Sequence, residues 1–522
     1  MSPHARPADG RERLAGRGHA VVIGSGLAGL TAARALANSM DRVTVIDRDH
    51  TPAGPARRPG VPQARHTHTL TAAALQGLEH LFPGIGSDLT RAGAILLRMP
   101  QDLLLLGPHG WLPRFDAGLS VLSAGRDLID AVLRRRLRAD ARVRFLPGHE
   151  VLALAPDRND TVTGVWARPR DRQAPDGWGP AHLISADFVV DASGSGSRAP
   201  HWLAELGYQP PQESITPART TYASTVFAPP AGHVADWRAL LLMASPDNPR
   251  QGTLQPIEGG RWSVTLCAAD GERPPTDHAA LLRAAGDLRH PLLRDVIEAA
   301  TPLGPLYTCA RTENRWRHYE KLRRWPDQFL VVGDALAVLD PAHGQGMTLA
   351  VQSALVLDQV LAGHGTTVGL TYRLRRALAH RLAPAWHSST RHLHTTTGGP
   401  AAPTGLRARL ARRYTARIAA AAPNDPHAAT LLVARLQAAG PLAAVPHPRA
   451  PRTARTPAAP APAAPPSTTH GPHARRRRTA PPAPAIGVAT GSLRPRPAGS
   501  SAQWPAGPLE GGADRGRGKA AT

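Results

Sequence analysis

Lysine and cysteine are almost absent from this chain of 522 residues: Lys321 and Lys519 are the whole complement of one, Cys267 and Cys309 of the other. Two cysteines cannot build a disulfide framework, and they fit a reducing, cytoplasmic compartment. Long apolar runs are missing too. No stretch of about 18 such residues stands out, so no transmembrane span is expected. Residues 1–18 are polar and arginine-rich without an apolar centre, which argues against a secretory signal.

With lysine so rare, the formal charge of +23 is carried by arginine. Such a charge would ordinarily point to nucleic acid or an anionic membrane. Abundant Arg, Ala, Pro and Gly together read instead as the codon bias of a GC-rich genome. Residues 447–522 also hold 12 basic against 2 acidic residues, so much of the surplus sits in a tail. That tail repeats Ala-Pro pairs, has few aromatics to stack on bases and has little apolar surface to bury. It is expected to be disordered, and nucleic acid is not an expected partner. A basic helix over 404–422 allows a weak membrane-surface contact, although packing on the fold is the commoner use.

What is present is a glycine-rich turn between two short apolar runs. Residues 19–23 read as a buried parallel strand. Gly24, Gly26 and Gly29 follow as G-x-G-x-x-G, which permits a tight turn, close approach of backbone to a pyrophosphate, and close helix–strand packing. Residues 27–37, opening with Leu27 and Ala28, read as a helix whose first N–H groups face that pyrophosphate. A second strand over 42–46 closes on Asp47, with Arg48 after it. Asp47 lies 23 positions beyond Gly24, near the spacing of about 20 expected for the acid that binds a ribose hydroxyl. Glycines alone are a weak signal. Strand, glycines, helix, strand and acid in register describe a dinucleotide site.

A second turn, three hundred residues on, selects FAD over NAD. Residues 328–332 read as another apolar strand, ending at Gly333 and Asp334. A carboxylate there can hold a hydroxyl of a ribityl chain, which belongs to flavins. Pro341 breaks the chain, and Gly344 and Gly346 let backbone approach a planar ring. Residues 348–361 then read as an apolar helix. Its N-terminus, beside Gln345 and Met347, faces the pyrimidine edge, where reduction deposits negative charge. The two turns describe two walls of one extended cofactor site.

Four further segments carry a resemblance. Residues 58–70 read R-P-G-V-P-Q-A-R-H-T-H-T-L, Arg126 stands just before an amphipathic helix over 128–137, residues 187–198 contain V-V-D-A-S-G around Asp191, and residues 311–319 read R-T-E-N-R-W-R-H-Y. With the glycine turns, they make the chain resemble the FAD-dependent monooxygenases of the p-hydroxybenzoate hydroxylase and squalene epoxidase type. Within these it is most like the bacterial polyketide, especially polyether, epoxidases and hydroxylases, which carry R-P-G-V-P-Q-x-R-H-x-H-x-L. The resemblance implies that Arg126 stands near the FAD phosphates and that Asp191 belongs to the family's middle D-G-type motif, with Ala192 in place of its glycine. His66 and His68 on a strand would share a face and allow a metal. No acid or Cys cluster joins them, and the resembling enzymes use none, so no metal is expected. A loop beside the flavin, with Arg65 and His66 as polar contacts, is expected instead.

The implied fold is α/β: a Rossmann-like FAD-binding domain of glutathione-reductase type interleaved with an antiparallel β-sheet substrate domain, then a helical C-terminal region. The expected division is 18–205 for the first flavin part, with 61–118 lining the cleft, 206–304 for the substrate sheet, 305–365 for the second flavin part, and 366–446 for the helices. Strand-like runs at 220–227, 239–243, 252–256 and 261–267 suit that sheet, and 94–111 adds pocket lining or core. The implied activity takes electrons from NADPH or NADH, captures O2 as a flavin hydroperoxide, and delivers one oxygen to an apolar substrate such as a polyketide or polyene. No catalytic acid or base is singled out. A partner flavin reductase is the alternative electron source, and an FAD-dependent reductase of isoprenoid double bonds is the alternative activity. A halogenase of the same fold needs a lysine in the N-terminal region and a W-x-W-x-x-P segment, and neither occurs.

Overall fold

The computed structural model describes residues 18–437 except 218–219, 269–271, 310–312, 342–343, 365–368 and 392–405. The expected tail, 447–522, and the start of the 311–319 segment lie outside the described residues.

The chain opens with β1 (His19–Ile23), α1 (Leu27–Ala37) and β2 (Arg42–Asp47). It continues through α2 (Ala72–Leu81), β3 (Leu103–Gly107), α3 (Arg126–Arg138), β4 (Val143–Pro147) and β5 (Phe188–Asp191). Next come β6 (Thr221–Ala228), β7 (Ala239–Leu242), β8 (Gln251–Ile257) and β9 (Arg261–Ala268), then α4 (His278–Gly286) and α5 (Leu292–Glu298). The strands β10 (Tyr307–Cys309) and β11 (Phe329–Val331) precede α6 (Gly346–His364), α7 (Leu370–Arg391), α8 (Leu406–Ala421) and α9 (Pro426–Leu436).

One sheet has the order β11-β5-β1-β2-β4 and is parallel throughout. Its central strands are buried end to end, as near-continuous apolar runs require. Only β5 separates β1 from β11, so the C-terminal ends of these three strands open side by side. Backbone bonds from Ala192 N to Ile23 O (2.9 Å) and from Val332 N to Asp191 O (2.9 Å) tie those ends together. This topology brings turns three hundred residues apart to one edge.

A second sheet runs β6-β9-β8-β7-β3, with β10 on the far side of β6. Its pairings are antiparallel except β7 with β3, which is parallel. The exception arises because β3 comes from well upstream and joins as a separate edge. Alternation sorts the faces. Ala223, Phe227, Val264, Leu266, Leu254, Leu240 and Leu242 pack in a cluster with α4 and α5. The opposite face of β6 and β9 presents Tyr222, Ser224, Ser263, Thr265 and Cys267. The leucines of β3 are core rather than pocket lining. Leu104 and Leu106 join the α4–α5 cluster, while Leu103 and Leu105 pack with Ala428, Leu432 and Val433 of α9.

By length and composition alone, helix α6 is apolar enough to cross a membrane, against the sequence expectation of no span. In the fold it packs on α1 and α2. A Cβ on Gly77 of α2 would meet Val351 Cγ1 at 2.6 Å, so the two helices touch where a side chain is missing.

Candidate functional site

The glycines divide into those that hold the fold together and those that face open space. A Cβ at Gly29 would lie 1.9 Å from Gly24 O, so α1 sits closer to the turn than any side chain permits. Gly333 has φ +62°, and its Cβ would stand 2.5 Å from that of Ala28. The two turns therefore touch, through Ala28 and Gly333, and make one site. Gly26, Gly344 and Gly346 have nothing within 4 Å of an added Cβ. They leave a backbone-lined cradle of the kind a pyrophosphate and a flat ring need. Leu27 and Met347 are buried and anchor the starts of α1 and α6, which leaves backbone as their means of contact. Helix α6 begins at Gly346, two residues earlier than the sequence indicates.

Asp47 closes β2 and is the most heavily engaged acid of the site. It accepts from Ser25 N at 2.7 Å, Ser25 Oγ at 2.5 Å and Arg58 Nη1 at 3.0 Å, and its other oxygen accepts from Asp49 N at 2.8 Å. Burial alone would raise its pKa, but the Arg58 guanidinium and these hydrogen bonds hold it below the usual carboxylate range. Arg58 is 6% exposed and also donates to Ser25 O at 3.1 Å, so it clamps acid and glycine turn together. Ser25 and Arg58 are site residues that motif reasoning passes over. Arg48, by contrast, is exposed.

The stretch 58–71 stitches the two sheets together. Gly60 N donates to Asp49 Oδ2 at 2.7 Å, and Gln63 Nε2 reaches Asp334 Oδ2 at 3.5 Å. Arg65 stacks 4.9 Å from the ring centre of Tyr307 on β10. His66 Nδ1 lies 2.8 Å from Ser224 Oγ, and Thr67 Oγ1 lies 2.8 Å from the hydroxyls of Ser263 and Thr265. Thr69 donates to Gln255, and Thr71 pairs at 2.8 Å with Thr348 of α6. Burial, then the neighbouring Arg65, lowers the pKa of His66. Burial takes His68 down to about 3, with Arg126 adding to the effect. Both rings are therefore neutral at pH 7, and His66 faces the second sheet.

Asp334 sits half-buried in the turn after β11. Burial pushes its pKa up, opposed by Arg126. Arg126 itself donates from Nε to Asp130 Oδ1 at 2.8 Å, one turn along α3. Asp191 corrects the sequence reading. It is fully buried, accepting from Ser193 N at 3.0 Å and from Ser197 Oγ at 2.5 Å. It braces the loop after β5 and does not face the groove. Burial raises its pKa against those bonds. Asp340, just before Pro341, was not singled out by sequence. Tyr222 Oη and Thr220 Oγ1 both donate to it, which joins the polar face of β6 to the loop carrying Gly344 and Gly346.

Comparison with known proteins agrees with this geometry. The chain is 32% identical over 380 residues to Protein Rv3254 of Mycobacterium tuberculosis, covering 70% of this chain and 78% of that one. It is 26% identical over 373 residues to kynurenine 3-monooxygenase of Salinispora tropica, covering 67% and 73%. The structure of p-nitrophenol 4-monooxygenase PnpA from Pseudomonas putida superposes with a TM-score of 0.55 at 17% identity, covering 80% of this chain and 97% of that one, a likeness of fold. A model of the FAD binding domain family matches residues 18–391, and the chain belongs to that family of flavin-dependent oxidoreductases.

Proposed function

We propose that the chain is an FAD-dependent monooxygenase that places one atom of O2, as an epoxide or hydroxyl oxygen, on a secondary-metabolite substrate of polyketide type. The observation that carries this is the contact of Ala28 with Gly333, which merges the dinucleotide turn and the ribityl acid into one groove. In this reading Gly26 and the start of α1 take the pyrophosphate, with Gly24 and Gly29 shaping the turn that carries them, and Asp47 takes the ribose. Asp334 takes the ribityl chain, while Gly344, Gln345, Gly346 and the start of α6 take the pyrimidine edge. The all-parallel order β11-β5-β1-β2-β4 supports a glutathione-reductase type of Rossmann arrangement.

FAD, when bound, supplies electron transfer from NADPH or NADH to O2 and activation of that oxygen. The chain's own residues orient the partners and exclude water. His66, Thr67, Ser224, Ser263 and Thr265 satisfy one another, and the neutral histidines add no charge beside the ring. The polyether-type stretch at 58–70 supports the polyketide class. Two free thiols, Cys267 and Cys309, fit a cytoplasmic setting.

The test is spectroscopic, on the full chain. The expected result is a flavin absorption band that releases FAD on denaturation, bleaches with NADPH without oxygen and returns when O2 is admitted. A folded, colourless protein that takes up no FAD overturns the assignment. FAD that NADPH cannot bleach moves the electron source to a partner flavin reductase. Product formed without O2 consumption would favour reduction of an isoprenoid-type double bond.

A further inference from the structure

Two exposed guanidiniums are held over one aromatic ring beside the cofactor groove. Arg57 lies 4.6 Å and Arg65 4.9 Å from the ring centre of Tyr307 on β10, and Arg57 Nη1 also donates to Tyr307 Oη. Tyr307 stands directly opposite Ser224 of β6, so the two side chains share the polar face of that sheet. Ser224 in turn holds His66 at 2.8 Å, and the His66 ring lies 6.1 Å from that of Tyr222. The arginine pair is therefore one cross-strand step from the wall between the two sheets. Adjacent residues serve two places here. Arg58 is buried against Ser25 and Asp47 at the ribose end of the groove, whereas Arg57 is exposed and goes to the face of the second sheet.

Neither Arg57 nor Arg65 forms an ion pair among the described residues, and Arg65 gives no hydrogen bond there. Asp127 feels the charge of Arg57 but does not pair with it. Two like charges on one ring repel each other, and the ring's π face offsets only part of that repulsion. A multiply charged anion with several oxygens satisfies both guanidiniums, and phosphate matches their planar forks. The nicotinamide donor is the partner of this family's flavin that brings phosphate from outside the FAD groove.

We propose that Arg57 and Arg65, held by Tyr307, bind a phosphate of the nicotinamide electron donor, either its pyrophosphate or the 2′-phosphate of NADPH. This rests on the reading of the chain as a flavoprotein reduced directly by that donor. The test mixes the FAD-loaded full-length protein with NADPH or NADH without oxygen and follows flavin bleaching by stopped flow, which separates donor affinity from the limiting rate. R57Q and R65Q should each weaken NADPH by about tenfold to a hundredfold, the worth of a hydrogen bond from a charged donor. The loss should appear in donor affinity rather than in the limiting rate. Y307F, which keeps the ring, should retain most of the affinity, and Y307L should match the arginine variants. A loss for NADPH alone supports the proposal through the 2′-phosphate, and an equal loss for NADH supports it through the pyrophosphate. Unchanged donor affinity in the double variant R57Q/R65Q overturns the proposal. So does an equal loss of FAD affinity, which would make the pair a flavin contact. If neither donor bleaches wild-type FAD, the direct-donor reading fails and the proposal falls with it, while the FAD reading stands.

Discussion

Gly333→Ala tests whether the two glycine turns are one site. The added Cβ would stand 2.5 Å from Ala28 Cβ, closer than real Cβ contacts come, at a residue with φ +62°. Holding an L side chain in that left-handed region costs about 1–2 kcal/mol. Overpacking against Ala28 adds about 1–3 kcal/mol. The expected loss is therefore about 2–5 kcal/mol. Ala28→Gly alone removes an alanine from the first turn of α1 and costs about 0.5–1 kcal/mol. In the double variant the clash is gone, and the backbone strain and the helix cost of Ala28→Gly remain. Its loss should fall short of the sum of the single losses by about 1–3 kcal/mol, the overpacking contribution. Urea unfolding of the four proteins measures this coupling. FAD titration of the same four should follow it, with affinity lost in G333A and partly recovered in the double variant. Additivity within about 0.5 kcal/mol would mean that the turns do not touch, and the single-groove reasoning would fall with it.

Arg58→Met should destabilise the protein by about 1–3 kcal/mol in urea, because it leaves the half-buried Asp47 without its cation; no measurable change would contradict the pairing. Asp47 has a folded pKa below its ordinary value, so its contribution is complete above the unfolded pKa of about 3.9 and is lost as pH falls through the lower folded value. Asp47→Asn should accordingly flatten the stability–pH curve below about pH 4, and an unaltered acid limb would refute the assignment. His68 has the opposite chemistry with the same direction of slope. Its folded pKa is about 3 against 6.5 unfolded, so between those values the unfolded chain takes the proton first. Stability should fall as pH drops through that window by at most about 1.4 kcal/mol per pH unit. His68→Gln should remove this part of the slope, and an identical slope in wild type and variant would show that the ring is not buried neutral.

The cofactor-binding turn at the N-terminus is readable from sequence because each of its signals is local. A five-residue apolar run, glycines at fixed offsets and an alanine-rich helix each answer to neighbours a few residues away, and β1 and α1 form on the residues so marked. Asp191 misleads for the same reason. An acid at a strand end looks alike whether its carboxylate faces a ligand or turns back, and Ser197 Oγ, six residues on, decides it. Four consecutive leucines at 103–106 likewise cannot declare whether they line a pocket or are buried on both faces; α9, over three hundred residues later, settles that. The contact of Ala28 with Gly333 depends on the insertion of β5 between β1 and β11, which no local pattern announces. One long-range feature is nevertheless written in the sequence. On β9, Ser263 and Thr265 alternate with Val264 and Leu266, and a polar face on a buried strand must find partners. Thr67 and Thr69, two apart in the stretch 58–70, supply them to Ser263, Thr265 and Gln255. Two period-two patterns of hydrogen-bonding groups, each unsatisfied alone, identify the loop and the sheet as the two halves of one wall.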